Sequence, residues 1–222
     1  MVRRAGPRPG NKSWANYYDT QLGSNTTRVW NGIDIVPHAW ELDMLIKIPK
    51  LYTPEIPESK LVQGAIVLAL TNSIIAGDMQ QICPSAQALN GQVNTDFLLT
   101  IKNILSVLEV IITNDLIEKI GEKLGLSTLE ITVLKKIIDD LITDLNTQAP
   151  TRSVSEKTFK KQFDLSVTNQ KLLPSEIPSA KLQPSELIDQ LYDFLNFMIQ
   201  AAYQHTEAYD ILMGTQGYAD LV

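Results

Sequence analysis

The chain has 222 residues, 44% of them hydrophobic and 20% charged, which excludes a disordered or collagen-like chain and suits one globular domain, with or without a large insertion. A net charge of −6 offers no basic face for phosphates, so no nucleic-acid partner is expected. One cysteine, Cys83, excludes an intrachain disulfide framework; two histidines, His38 and His205, are too few for a zinc cluster, and no metal or cofactor is expected.

The opening Met-Val-Arg-Arg-Ala-Gly-Pro has no apolar core behind its arginines, so no signal peptide is read and a cytoplasmic setting is expected. The most apolar run, Leu61 to Gly77, is interrupted by Gln63, Thr71, Asn72 and Ser73. It falls short of the roughly 20 apolar residues that cross a bilayer, so it reads as a helix buried in protein, not a transmembrane span.

In chain order, Gly6, Pro7, Pro9, Gly10 and Asn11 make a turn-rich loop, and Ser13 to Leu22 a short helix presenting Trp14, Tyr17 and Tyr18. Thr26 to Trp30 reads as a short strand that stops at Asn31-Gly32. Asp34 follows at once, and Pro37, which cannot donate to a ladder, marks that segment as a loop. An acid at the carboxyl end of a strand is where α/β sheets mount active-site groups. The bland reading of Asp34 is a turn acid.

From Leu51 onward the pattern is helical. Lys60 to Gln81 predicts a helix that ends before Cys83-Pro84, and Thr95 to Lys123 is apolar over much of its circumference, broken by Gly121 and Gly125. Ser127 and Glu130 predict a capping box ahead of a helix striped by Leu134, Ile138, Leu141 and Leu145. Ala149 to Lys161 is polar and reads as a linker, and Ser185 starts a last helix with Leu187, Ile188, Leu191, Leu195, Met198, Ile199 and Ala202 on one stripe. Glu55-Ile56-Pro57 and Glu176-Ile177-Pro178 echo one another as Pro-initiated helix starts, too briefly to mark a repeat protein.

The stretch Ala5-Gly6-Pro7-Arg8-Pro9-Gly10-Asn11, then Trp14-Ala15-Asn16-Tyr17-Tyr18, then Arg28-Val29-Trp30-Asn31 and Asp34-Ile35-Val36-Pro37-His38, resembles the class 3 lipases of the fungal triacylglycerol-lipase type. The resemblance implies that Asp34 is the acid of a Ser-Asp-His triad, there to fix the tautomer of the histidine and stabilise its imidazolium. Tyr203-Gln204-His205-Thr206-Glu207-Ala208-Tyr209 resembles the family's histidine segment, which implies that His205 is the general base. Without the resemblance, a histidine after a helix reads as a surface or capping residue. His38, four residues after Asp34, reads as structural.

The expected fold class is therefore the C-terminal portion of an α/β-hydrolase, with a few strands near the N-terminus and a large helical insertion, mostly α by content. Residues 1–52 would belong to the hydrolase core, 53–183 to a cap-like helical insertion between acid and base, and 184–222 to a final helix and histidine segment returning to the core.

Family order places the serine on a G-x-S-x-G elbow before the acid, yet none stands among the 33 residues ahead of Asp34. Gly23-Ser24-Asn25 and Gly125-Leu126-Ser127-Thr128-Leu129 lack the pattern, and the oxyanion loop is missing too. Met1 to Arg4 stands where a buried central strand would run, and its arginines fit that place poorly.

The reading is thus a lipid carboxylic-ester hydrolase fragment, inactive alone, whose substrate is a glyceride or phospholipid. The alternative is a non-catalytic helical module binding a lipid or another protein. A third expectation is that an open sheet edge pairs with a partner chain.

Overall fold

The computed structural model describes residues 2–3, 10–39, 41–76, 79–80, 87–95, 98–113, 115–169 and 184–212. In chain order they form β1 (Val2–Arg3), β2 (Gly10–Asn11), α1 (Lys12–Leu22), β3 (Thr27–Asn31), α2 (Ile35–His38), α3 (Leu42–Leu45), α4 (Lys60–Ala76), β4 (Met79–Gln80) and β5 (Gln87–Leu89). There follow β6 (Leu98–Thr100), α5 (Ile101–Thr113), α6 (Leu116–Leu124), α7 (Thr128–Asn146), β7 (Ser153–Ser155), α8 (Glu156–Asn169), α9 (Pro184–His205) and α10 (Glu207–Leu212). Helix dominates and the strands are short. The chain divides into two compact units, one of Met1–Tyr52, Ile66–Val93 and Gln200–Val222, the other of Thr53–Ala65 and Asn94–Ile199.

In the first unit β3 lies between β1 and β5 in a parallel sheet, with Val2 opposite Thr27 and Trp30 opposite Ala88. Parallel neighbours need crossover connections, so strands far apart in sequence converge here. Val2–Arg3 does pair with β3, but as an outer strand among the described residues, a position that accepts arginines. The glycine-proline loop ahead of Gly10 lies outside the described residues; Gly10 and Asn11 form β2, antiparallel to β4. Met79–Gln80, expected within a helix running to Gln81, is therefore strand.

Helix α1 begins where Asn11 Oδ1 accepts the Trp14 N–H at 3.1 Å. Its Trp14 and Tyr18 rings stack at 5.4 Å. The Thr26 hydroxyl gives its proton to the Leu22 carbonyl at 2.9 Å, so Tyr18 donates to Thr26 at 3.1 Å. These bonds tie α1 to the start of β3.

In the second unit α7 packs against α5, α6 and α8. Ile101, Ile104, Leu108 and Ile111 on α5, and Leu134, Ile138, Leu141 and Leu145 on α7, are buried at helical spacing. Each such side chain contributes roughly 1.5–3 kcal/mol relative to exposure. The expected break at Gly121 is absent: Gly121 lies inside α6, where any Cβ would collide with Ile131. Gly125 does end α6, at φ 71°, with Leu126 N–H on the Gly121 carbonyl and Gly125 N–H on that of Glu122. This is a Schellman ending, whose left-handed residue favours glycine. Asp115, at φ 49° just before α6, also takes a left-handed conformation, so the long apolar run is two helices rather than one.

The segment expected as a linker, Ala149 to Lys161, carries β7 and the start of α8. Val154 pairs with Leu99 across the β6–β7 ladder, and both are buried. Phe159 and Phe163, one turn apart on α8, bury its apolar face. Three strand residues and two phenylalanines among lysines leave too faint a periodicity to be read in advance. Among the described residues, no helix is long and apolar enough to cross a membrane.

The capping box at Ser127 is present: Glu130 N–H donates to Ser127 Oγ at 3.3 Å, and Ser127 N–H to Glu130 Oε2 at 2.6 Å. Ser127→Ala is expected to lower stability by about 1 kcal/mol, read as a lower urea midpoint by circular dichroism. An unchanged midpoint would show that the cap contributes nothing.

Candidate active site

The site grows from the end of β3. Asn31, Gly32, Ile33 and Asp34 form a tight turn in which Asp34 N–H donates to the Asn31 carbonyl at 3.0 Å, while Gly32 N–H donates to Leu89 of β5 at 3.0 Å. Asp34 then caps α2, its Oδ1 accepting Val36 N–H at 3.0 Å. The segment expected as a loop is thus one helical turn. Pro37 is tolerated because first-turn N–H groups lack intrahelical partners anyway. His38 Nδ1–H donates to the Asp34 carbonyl at 2.8 Å and its ring meets Trp30 edge-on at 5.3 Å, so this histidine braces the turn.

Asp34 is fully buried. Its other carboxylate oxygen, Oδ2, lies 2.9 Å from His205 Nδ1 and 3.1 Å from the Tyr209 hydroxyl. That hydroxyl accepts Asn31 N–H at 2.8 Å, which leaves its own proton to donate to Asp34. Three donors therefore converge on one buried carboxylate, the condition under which its charge is tolerated out of water.

His205 is the last residue of the 22-residue helix α9, not a residue beyond it. Its side chain remains 40% exposed while Asp34 is sealed. With Nδ1–H donated to Asp34, the neutral ring carries its lone pair on Nε2, the arrangement of a general base. The hydrogen bond to Asp34 raises the pKa of His205 above its ordinary value; partial burial opposes the shift, and the charge of Asp34 adds to it. The C-terminal end of a helix also favours a cation.

Burial and the nearby Asp34 charge push the Tyr209 phenol up, so it stays protonated and keeps donating. Burial likewise raises the Tyr52 phenol, Asp34 adding to it.

The structure brings together both residues singled out in the sequence. It adds Tyr209 and Gln204, which sequence reasoning did not assign. Tyr209 stands four residues after His205, a one-turn spacing that was visible but undirected. Gln204 left no signal at all. Ser127 of the near-miss elbow is bonded to Glu130 as a helix cap, which accounts for that serine structurally. Among the described residues no three His, Cys, Asp or Glu side chains gather to hold a metal ion.

The raised His205 pKa fixes the sign of a pH effect. The stabilisation is complete below the ordinary imidazole value, where the unfolded chain is also protonated, and is lost as pH rises through the raised folded value. The gap in melting temperature between the native protein and His205→Gln is therefore expected to be wider at about pH 5.5 than at about pH 8.5. A gap that widens with pH would contradict the pairing.

No family profile matches this chain, and no curated protein matches it. Among solved structures it is similar to one titled "Crystal structure of M37 lipase", at 34% identity and a TM-score of 0.37, over 42% of this chain and 28% of that one. The chain thus spans less than a third of that lipase's length.

Proposed function

We propose that this chain is the acid–base portion of a lipid carboxylic-ester hydrolase of the class 3 lipase type, with a serine nucleophile supplied by sequence outside it. One observation carries the reading. Across a sequence separation of 171, a partly exposed imidazole donates its Nδ1 proton at 2.9 Å to a fully buried carboxylate. The linked motifs from Gly6 to His38 point to the same chemistry and suggest a glyceride or phospholipid ester as substrate.

In this reading the ester reacts in two acyl transfers. His205 Nε2 takes the serine hydroxyl proton as the oxygen attacks the ester carbonyl. Asp34 stays ionised and steadies the imidazolium through Nδ1–H. As the tetrahedral intermediate collapses, Nε2–H passes its proton to the departing alkoxide and the acyl group remains on the serine. Water then repeats the sequence, and the fatty acid leaves. Burying the acid and leaving the base partly exposed suits this division of labour, since only the base meets substrate.

No G-x-S-x-G occurs anywhere in the 222 residues. The chain alone is accordingly expected to hydrolyse a p-nitrophenyl acyl ester no faster than its His205→Ala variant. In a polypeptide extended by the upstream coding sequence and carrying an in-frame serine elbow, Asp34→Asn is expected to lower kcat by roughly 10⁴-fold. Histidine-dependent hydrolysis by the chain alone would refute the external nucleophile. Indifference of the extended enzyme to Asp34→Asn would refute the hydrolase assignment.

A further inference from the structure

Asp34 and His205 sit on elements remote in sequence, so something must hold the last turn of α9 in register with the end of β3. We propose that the buried Asn31–Gln204 amide pair is that device: two positioning residues that deliver the His205 imidazole to Asp34. Its use in catalysis rests on the hydrolase reading; the positioning itself does not.

Asn31 and Gln204 are both fully buried. Every polar group of Asn31 is engaged around the dyad. Its N–H holds the Tyr209 hydroxyl at 2.8 Å, and its carbonyl holds Asp34 N–H at 3.0 Å. Its Oδ1 accepts Ile33 N–H at 3.2 Å. Its Nδ2 donates to Gln204 twice, to Oε1 at 2.6 Å and to the main-chain carbonyl at 3.2 Å.

That carbonyl is among the last four of α9, which have no intrahelical donor. Asn31 therefore caps the helical turn that carries His205, one residue on. The polarity is set from the far end. Gln204 Nε2 donates to the Gln92 carbonyl at 2.8 Å, and a carbonyl can only accept. Gln204 must then turn Oε1 toward Asn31, Asn31 must answer with Nδ2, and its oxygen is left for Ile33. Residue 91 closes the arrangement: any Cβ on Gly91 would collide with Asn31 Oδ1. A chain of bonds with one permitted direction defines one rotation of the helix end. A misplacement of about 1 Å is enough to cost about 10²-fold in rate.

The test is a histidine-selective NMR titration of the full chain, in which the two histidines, His38 and His205, are followed separately. The titratable groups against the His205 ring are Asp34 and Tyr209, with Glu207 two residues on, and all three stay in place in the Asn31, Gln204 and Gly91 variants below. Asp34→Asn supplies the reference midpoint for an unpaired ring. Asn31→Leu and Gln204→Leu, folded by circular dichroism, are expected to carry the His205 midpoint more than half of the way from native to that reference. Gly91→Ala reaches the same amide from the loop side and is expected to shift the midpoint in the same direction. It decides the matter if the buried substitutions do not fold. The reciprocal swap Asn31→Gln with Gln204→Asn keeps two amides in contact and is expected to return the midpoint toward native.

If the folded variants keep the native midpoint while Asp34→Asn lowers it, the positioning inference falls alone. If native and Asp34→Asn midpoints coincide, the dyad is absent and the hydrolase reading falls with it.

Discussion

A charged carboxylate removed from water must be surrounded by donors, and the first unit is arranged around meeting that demand at Asp34. Val36 N–H serves one oxygen; the His205 ring and the Tyr209 hydroxyl share the other. None of the three is interchangeable with solvent, because Asp34 has no exposed surface. The tight turn after β3, the single turn of α2 and the end of α9 all follow from placing donors there. Losing one of them would leave a buried charge incompletely paired, which is why the surrounding backbone is bonded so thoroughly.

The same arrangement divides rigidity from access. Asp34 and Asn31 sit at the end of a strand held on both sides by parallel neighbours, whereas His205 ends a long helix and keeps much of its ring in contact with water. His205 gains a raised pKa from the hydrogen bond without losing its contact with water. An imidazole tuned this way is suited to moving protons, and a deeply buried one would not be. Tyr209 supports the acid: its phenol, held protonated by burial, accepts the Asn31 N–H and donates to the Asp34 carboxylate.

Local chemistry was legible in the sequence and long-range chemistry was not. Ser127 and Glu130 announced their capping box, because both partners lie within one helical turn. Helix α1 and strand β3 were found to within a residue, since aromatic and β-branched patterning marks them. The parallel pairing of β3 with Gln87–Leu89 had no such mark, three residues being too few to show a period. Phe159 and Phe163 were lost in a lysine-rich stretch. Asp34 stood out by its place after a strand, but His205 was singled out only through the family resemblance. The contact of Asn31 with Gln204 spans 173 residues, and two amides carry no complementary charge by which to find each other on paper.

The pairing of acid and base is open to a single observation. In a proton spectrum of the nitrogen-labelled chain in water, the His205 Nδ1–H should appear as a far-downfield signal sheltered from exchange, and it should vanish in Asp34→Asn while the His38 ring proton persists. No sheltered His205 signal in the native protein, or one that survives the loss of the Asp34 carboxylate, would mean that the two side chains do not share that proton.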